Sequence, residues 1–207
     1  PTQIKAGGDK MTRVFFVRHA QPVFSWADDK TRPLTDEGIE DTQRVLDFFQ
    51  MHPIDRIYCS PYTRSIQTIA STAEFFGKDI LVDERLRERE SGHGGNHHKM
   101  FQKRWKNKDY HEDGGESIRM VQTRNVAALM DILKSNEGKT VIIGTHGTAL
   151  SSILNYFDPA FQCDSFLRII DWMPYIIELD FNGQSYLKRV EHLYVRKKFK
   201  GDSSGNI

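Results

Sequence analysis

Val14-Phe15-Phe16-Val17-Arg18-His19-Ala20 is an apolar run that stops on an arginine and a histidine. Its leading residues are β-branched or aromatic, the composition of a short strand buried on both faces. A buried strand ending in Arg-His sets two strong polar groups at the carboxyl edge of a sheet, where open α/β sheets bind ligands. Taken alone, the dipeptide also matches the first solvated residues after any strand. The rest of the chain has to decide.

A second stretch ends in the same way: Thr140-Val141-Ile142-Ile143-Gly144 is strongly apolar and runs into Thr145-His146-Gly147. Between the two, Thr35 caps a helix with Asp36 and Glu37 in its first turn and Ile39, Thr42, Leu46 and Phe49 on its apolar face. Arg56-Ile57-Tyr58-Cys59 is a short strand. Ser60-Pro61 supplies an N-cap and a first-turn proline for a helix that buries Ile66, Ile69, Ala70 and Ala73. Ile80-Leu81-Val82 is a third strand; helices follow from Ile118 to Leu133 and from Thr148 to Phe157. Tyr175 to Phe181 and Ser185 to Val190 form a closing hairpin around Asn182-Gly183. Strands alternating with helices predict an α/β three-layer sandwich, with a mostly parallel central sheet and helices on both faces. Arg85 to Glu116 breaks the alternation. It is polar and rich in Gly and His, and is read as a small inserted cap near residues 89–116.

At 207 residues, 38% hydrophobic and 28% charged, the chain suits one globular domain, expected to span residues 11–195. A net charge of +1 gives no global reason to bind nucleic acid or an anionic membrane. No apolar stretch is long enough to cross a bilayer, and no signal-peptide pattern is present. Cys59 and Cys163 suit free thiols in a reducing, cytoplasmic setting. Residues 1–10, ahead of Met11, are read as a disordered arm or expression remnant, and residues 196–207 as a basic flexible tail. Oligomeric state is not legible.

If the two apolar strands are neighbours, His19 and His146 share one sheet edge. The helix start after Cys59-Ser60 adds Arg64 and backbone N–H groups, a combination suited to an anion. Glu88, soon after the third strand, adds a carboxyl group. These parts fit phosphoryl transfer through histidine: a neutral imidazole attacks phosphorus and divides one displacement into two. Arg18 and Arg64 would bind the nonbridging oxygens, and His146 would add a hydrogen bond, aided by the dipole of the helix after Gly147. Glu88 would protonate the leaving alkoxide and then take a proton from water, a task for a carboxyl of raised pKa. Glu90, two residues on, competes for that role. Uncatalysed phosphomonoester hydrolysis leaves up to ~10²¹-fold for an enzyme to supply. The arginines neutralise the charge, so the scheme requires no metal and no cofactor.

The ordered motifs resemble the histidine phosphatase superfamily, in its phosphoglycerate-mutase-like branch, from about Val14 to Leu150. Arg18-His19-Ala20 resembles the family's Arg-His-Gly signature, which implies His19 as the phosphorylated residue. The segment from Ser60 to Thr68 resembles Ser-Pro-x-x-Arg-x-x-Gln-Thr, implying Arg64 as a phosphate ligand. The segment from Leu86 to Gly92 resembles Leu-x-Glu-x-x-x-Gly, implying Glu88 as proton donor. Thr145-His146-Gly147 implies His146 in the pocket, with Gly147 and Thr148 beside it; Gly115-Glu116-Ser117, Pro33-Leu34-Thr35 and Gly38 are further landmarks. Ala20 stands where glycine is usual. Ser25 occupies the place of an asparagine that often touches phosphate, and Gln21 replaces a common glutamate; both are expected contacts. The implied activity is a metal-independent phosphomonoesterase acting on a small phosphorylated substrate. The alternatives are a phosphoglycerate mutase, for which the insertion is short, and a weakly active phospho-ligand-binding protein.

Two further groups stay open at this stage. His93, His97, His98 and His111 form a histidine-rich patch; Gly94-Gly95 argues against the helix that would align two of them for a metal, so a loop facing the substrate is expected. Phe24, Trp26, Phe101, Trp105 and Tyr110 either form an apolar recognition wall or pack the insertion onto the core.

Overall fold

The computed structural model describes residues 11–198. The expected arm, residues 1–10, and the tail beyond residue 198 lie outside the described residues. Strands β1 (Met11–Arg18), β2 (Arg56–Cys59), β3 (Ile80–Val82) and β4 (Thr140–Thr145) run parallel; β5 (Trp172–Asn182) pairs antiparallel with β1, and β6 (Ser185–Arg196) antiparallel with β5. The order across the sheet is β3-β2-β4-β1-β5-β6. β1 is therefore central, which is why Val14 to Val17 are wholly buried.

Alternation along β1 divides the core, as period-two side chains must. Phe15 and Val17 pack with Val45 and Phe49 of α1 (Asp36–Phe49) and Ile69 and Ala73 of α2 (Thr63–Phe76). Val14 and Phe16 face α4 (Ile118–Ser135) and α5 (Gly147–Phe157), together with α3 (His98–Lys106) and α6 (Cys163–Ile169). The expected α/β sandwich with helices on both faces is what the chain forms. No helix among the described residues is long and apolar enough to cross a membrane, and Cys59 and Cys163 are free thiols.

Several local expectations need correcting. In α1 the buried positions are Gly38, Asp41, Thr42, Val45 and Phe49, whereas Ile39 is exposed. The helix is rotated so that Gly38 lies against the Gln21 backbone, where a Cβ would come within 2.4 Å of the carbonyl oxygen. In α2, Ala70 is exposed and Thr68 and Thr72 are buried. That helix also starts two residues later than its Ser-Pro signal suggests, with Tyr62 as N-cap. The closing hairpin is longer at both ends. Its tight turn falls on Gly183, at φ 57°, and Gln184. Arg196 is still paired with Trp172, and the Lys197 amine reaches Glu37 and Asp41 at 2.7 and 2.9 Å. The folded body thus runs past residue 195, the boundary expected from the basic composition.

The insertion closes at its neck, where Ser91 bridges Gly115 and the Glu116 N–H donates to the Glu90 carbonyl at 2.9 Å. Its interior is largely ionic. Arg104, 1% exposed, donates through Nε to Glu112 at 2.8 Å and through Nη1 to Asn96 at 3.1 Å, and Arg89 reaches the same Glu112 at 3.4 Å. Trp105 packs on Phe161 and Phe166, so it belongs to the core and not to a recognition wall.

Candidate active site

β1 and β4 pair in parallel with Arg18 opposite Thr145. The next residue of each strand is a histidine, so register alone brings His19 and His146 to one edge, their ring centroids 5.2 Å apart. β2 pairs with β4 on the other side, Cys59 opposite Gly144, which delivers Ser60 and then α2 to the same edge. The turn after β1 is tied to α2: the Ala20 N–H donates to Thr68 Oγ1 at 2.9 Å, and that hydroxyl donates to the Arg64 carbonyl at 2.7 Å. Ala20 is itself fully buried.

A cavity of about 90 Å³ opens here, with Arg18, His19, Arg64 and Glu88 in its wall together with Gly147 and Thr148. One water-sized group needs roughly 10–15 Å³ by this measure, so the space admits several such groups. Phe24, Phe101, Phe166 and Met173 add apolar side chains to its lining.

His19 Nδ1 lies 2.7 Å from its neighbour's carbonyl oxygen, at Ala20. A carbonyl can only accept, so Nδ1 carries the proton and Nε2 holds the lone pair. Burial, and then the nearby charges of Arg64 and Arg18, hold the His19 pKa well below 6.5. The ring is therefore neutral near pH 7, as a nucleophile requires. Arg18 donates to the Ile169 carbonyl at 2.7 Å, and its Nε has no partner among the described residues. Burial draws its pKa down to about 10, which leaves it charged near neutrality. Gly147 packs under that guanidinium, where a Cβ would sit 3.1 Å from Nη2.

Arg64 is buried and meets the Asp29 carboxylate at 3.2 Å. Arg32 reaches the same carboxylate at 2.7 Å. Both Asp29 and Arg32 line the cavity, and neither was singled out from the sequence, because the loop holding them has no period to read. Glu88 sits at the start of α5: its carboxylate accepts from the N–H groups of Thr148 at 2.9 Å and Ala149 at 3.0 Å, and from Arg89 N–H at 2.8 Å. It therefore caps the helix whose dipole was expected to serve phosphate directly. Glu90 is half-exposed and pairs with Arg87 at 3.5 Å, away from the cavity.

Three expected contacts sit elsewhere. Ser25 is exposed and outside the cavity wall. Gln21 turns its amide oxygen to the Thr35 hydroxyl at 3.1 Å. His146 is fully buried behind the wall, its Nε2 2.6 Å from Ser60 Oγ, and its Nδ1 has no partner among the described residues. Ser60, read from sequence as a helix cap, is thus the partner of this histidine. His93 and His97 are not on one helix, since His93 lies in a short 3-10 turn and His97 precedes α3.

Burial and the Arg64 charge also hold the His146 pKa well below 6.5. The unfolded chain binds protons on both histidines as pH falls through about 6.5, whereas the folded chain does not. Their contribution to stability is therefore present above that pH and lost below it, by about 1.4 kcal/mol per pH unit for each ring. Urea unfolding should approach this slope as pH falls from about 6 to about 5, and His146→Gln should remove one ring's share of it.

The histidine phosphatase superfamily (branch 1) profile matches residues 14–173. A probable phosphoglycerate mutase of Enterobacter sp. (strain 638) is 30% identical over 168 residues, covering 70% of this chain and 74% of that protein. A putative phosphoserine phosphatase of Hydrogenobacter thermophilus is 27% identical over 164 residues, covering 70% and 77%. Among solved structures, a mycobacterial glucosyl-3-phosphoglycerate phosphatase superposes with TM-score 0.72 at 16% identity, covering 91% of this chain and 100% of that one. Phosphoserine phosphatase from Entamoeba histolytica, in complex with 3-phosphoglyceric acid, gives 0.71 at 19% identity, covering 88% and 96%. The fold is shared with both. With its paired histidines at one sheet edge and the profile spanning most of its length, this chain belongs to the histidine phosphatase superfamily, in the first branch.

Proposed function

We propose that this protein hydrolyses small phosphomonoesters through a phosphohistidine formed on Nε2 of His19. The observation that carries the reading is the state of His19: a neutral imidazole, oriented by its own backbone, in the wall of a cavity faced by Arg18 and Arg64. Nε2 attacks phosphorus and the ester P–O bond breaks. Glu88 gives its proton to the departing oxygen, and the two guanidiniums hold the nonbridging oxygens as charge spreads over them. Water then attacks the phosphohistidine, Glu88 takes a proton back, and orthophosphate leaves with His19 restored.

His146 acts in this scheme from behind the wall. Its bond to Ser60 holds β4 and the start of α2 in place, and its unpartnered Nδ1 supplies a further polar atom at the sheet edge. Gly147 allows Arg18 its close approach to α5. The small cavity supports a compact phosphorylated substrate, as does the similarity to a probable phosphoglycerate mutase and a putative phosphoserine phosphatase. The two free cysteines suit the reducing cytoplasm.

Product partition tests the reading. With p-nitrophenyl phosphate and excess glycerate, one orthophosphate should appear for each p-nitrophenol released. Transfer of the phosphoryl group to glycerate in place of water would make the protein a mutase. Binding of phosphate with no turnover would make it a phospho-ligand receptor.

A further inference from the structure

We propose that Arg124 is the residue that positions Glu88 for proton transfer, an inference that rests on the role given to Glu88 above. Arg124 projects from α4, outside the cavity wall. A guanidinium carries five N–H donors in a fixed fork, and all of them are used here. Nη1 donates to the carbonyls of Arg85 at 2.8 Å and Arg87 at 2.6 Å. Nη2 donates to the Glu88 carbonyl at 2.9 Å and to Glu116 Oε2 at 2.8 Å, and Nε to Glu116 Oε1 at 2.9 Å. One side chain thus takes the carbonyls of Arg85, Arg87 and Glu88, in a segment that belongs to no strand and whose polar groups need partners from outside it.

Glu116 extends the grip to the far side of Glu88. Its carboxylate also accepts from the Glu90 N–H at 3.1 Å and from Arg87 Nη2 at 3.0 Å. The buried Leu86 side chain anchors the same turn in the core beneath α4. The Glu88 head group, meanwhile, is held by the N–H groups that open α5. Glu88 is therefore fixed at its backbone by α4 and at its carboxylate by α5. A proton donor must lie within hydrogen-bond reach of the leaving oxygen, and a displacement of about 1 Å costs on the order of 10²-fold in rate. Arginine is needed because its planar fork spans several acceptors at once; the point-like ammonium of lysine does not.

The test compares Arg124→Lys, Arg124→Gln and Glu88→Gln in the first-turnover release of leaving group. Two substrates are used: p-nitrophenyl phosphate, which needs no proton to depart, and glycerol phosphate, which does. Lysine keeps the positive charge that also reaches His146. Arg124→Lys should lose about tenfold or more on glycerol phosphate and stay within about threefold on p-nitrophenyl phosphate, the pattern of Glu88→Gln in weaker form. Activity on the aryl ester reports folding in the same samples, and if Arg124→Gln does not fold, the lysine variant carries the test. Equal losses on both substrates in Arg124→Lys, beside a leaving-group-dependent loss in Glu88→Gln, would leave Glu88 in its role and overturn the positioning role alone. A loss in Glu88→Gln that is equal on both substrates would overturn both assignments.

Discussion

His19→Ala should lower turnover by a factor on the order of 10⁴–10⁶, the scale on which removing an enzymic nucleophile is felt. Among the described residues the ring hydrogen-bonds to the carbonyl of its adjacent residue, so its removal unties no other described element and the fold should persist. The second readout is covalent. Wild-type protein mixed with p-nitrophenyl phosphate and quenched in alkali, where phosphohistidine survives, should gain the mass of one phosphoryl group at His19. The variant should gain none. A His19→Ala protein that keeps turnover within about tenfold of wild type would end the assignment of the phosphohistidine to His19.

Glu88→Gln is the second large effect. General acid catalysis contributes about 10²–10⁴-fold where the leaving group needs a proton. The variant should lose that much on alkyl phosphates and much less on p-nitrophenyl phosphate. Glutamine keeps the shape and one acceptor oxygen, but its amide NH₂ would face one of the N–H groups that Glu88 now accepts from Thr148, Ala149 and Arg89. A modest loss of stability, about 0.5–1.5 kcal/mol from the α5 N–H that the amide nitrogen cannot accept, should accompany the kinetic loss and is measurable by urea unfolding. A uniform loss on all substrates would assign Glu88 to helix capping and leave the proton donor to be found elsewhere.

The sheet and its edge were largely legible because they depend on short-range signals. Two apolar runs ending in Arg18-His19 and Thr145-His146 specify buried strands, and parallel pairing then brings their ends together. What escaped the sequence was set by contacts between distant segments. Arg124 lies among ordinary helix residues, and only the folded turn at 85–88 gives it a task. Asp29 and Arg32 sit in an aperiodic loop, and their meeting with Arg64 depends on how that loop falls across α2. Ser60 has a task its sequence signal does not show: its hydroxyl accepts from the Tyr62 N–H at 3.3 Å, as a residue ahead of a helix does, and the His146 ring also reaches it at 2.6 Å. Ile39 and Ala70 look apolar enough to be buried, yet the close backbone approach at Gly38 and the hydroxyl network of Thr68 rotate their helices away.

The ionic interior of the insertion has an evolutionary consequence. Arg104, Glu112 and Asn96 satisfy one another inside the segment, and Arg89 at its neck joins the same group. Changing one partner would strand a buried charge at a cost of about 3–5 kcal/mol, so single substitutions there are strongly selected against. Exchange of residues 89–115 as a block, by contrast, carries that charge and countercharge away together and leaves the sheet edge, its histidines and the Glu116–Arg124 pair in place. Descendants of this scaffold would therefore acquire new substrates by replacing the whole cap, with the chemistry beneath it inherited unchanged.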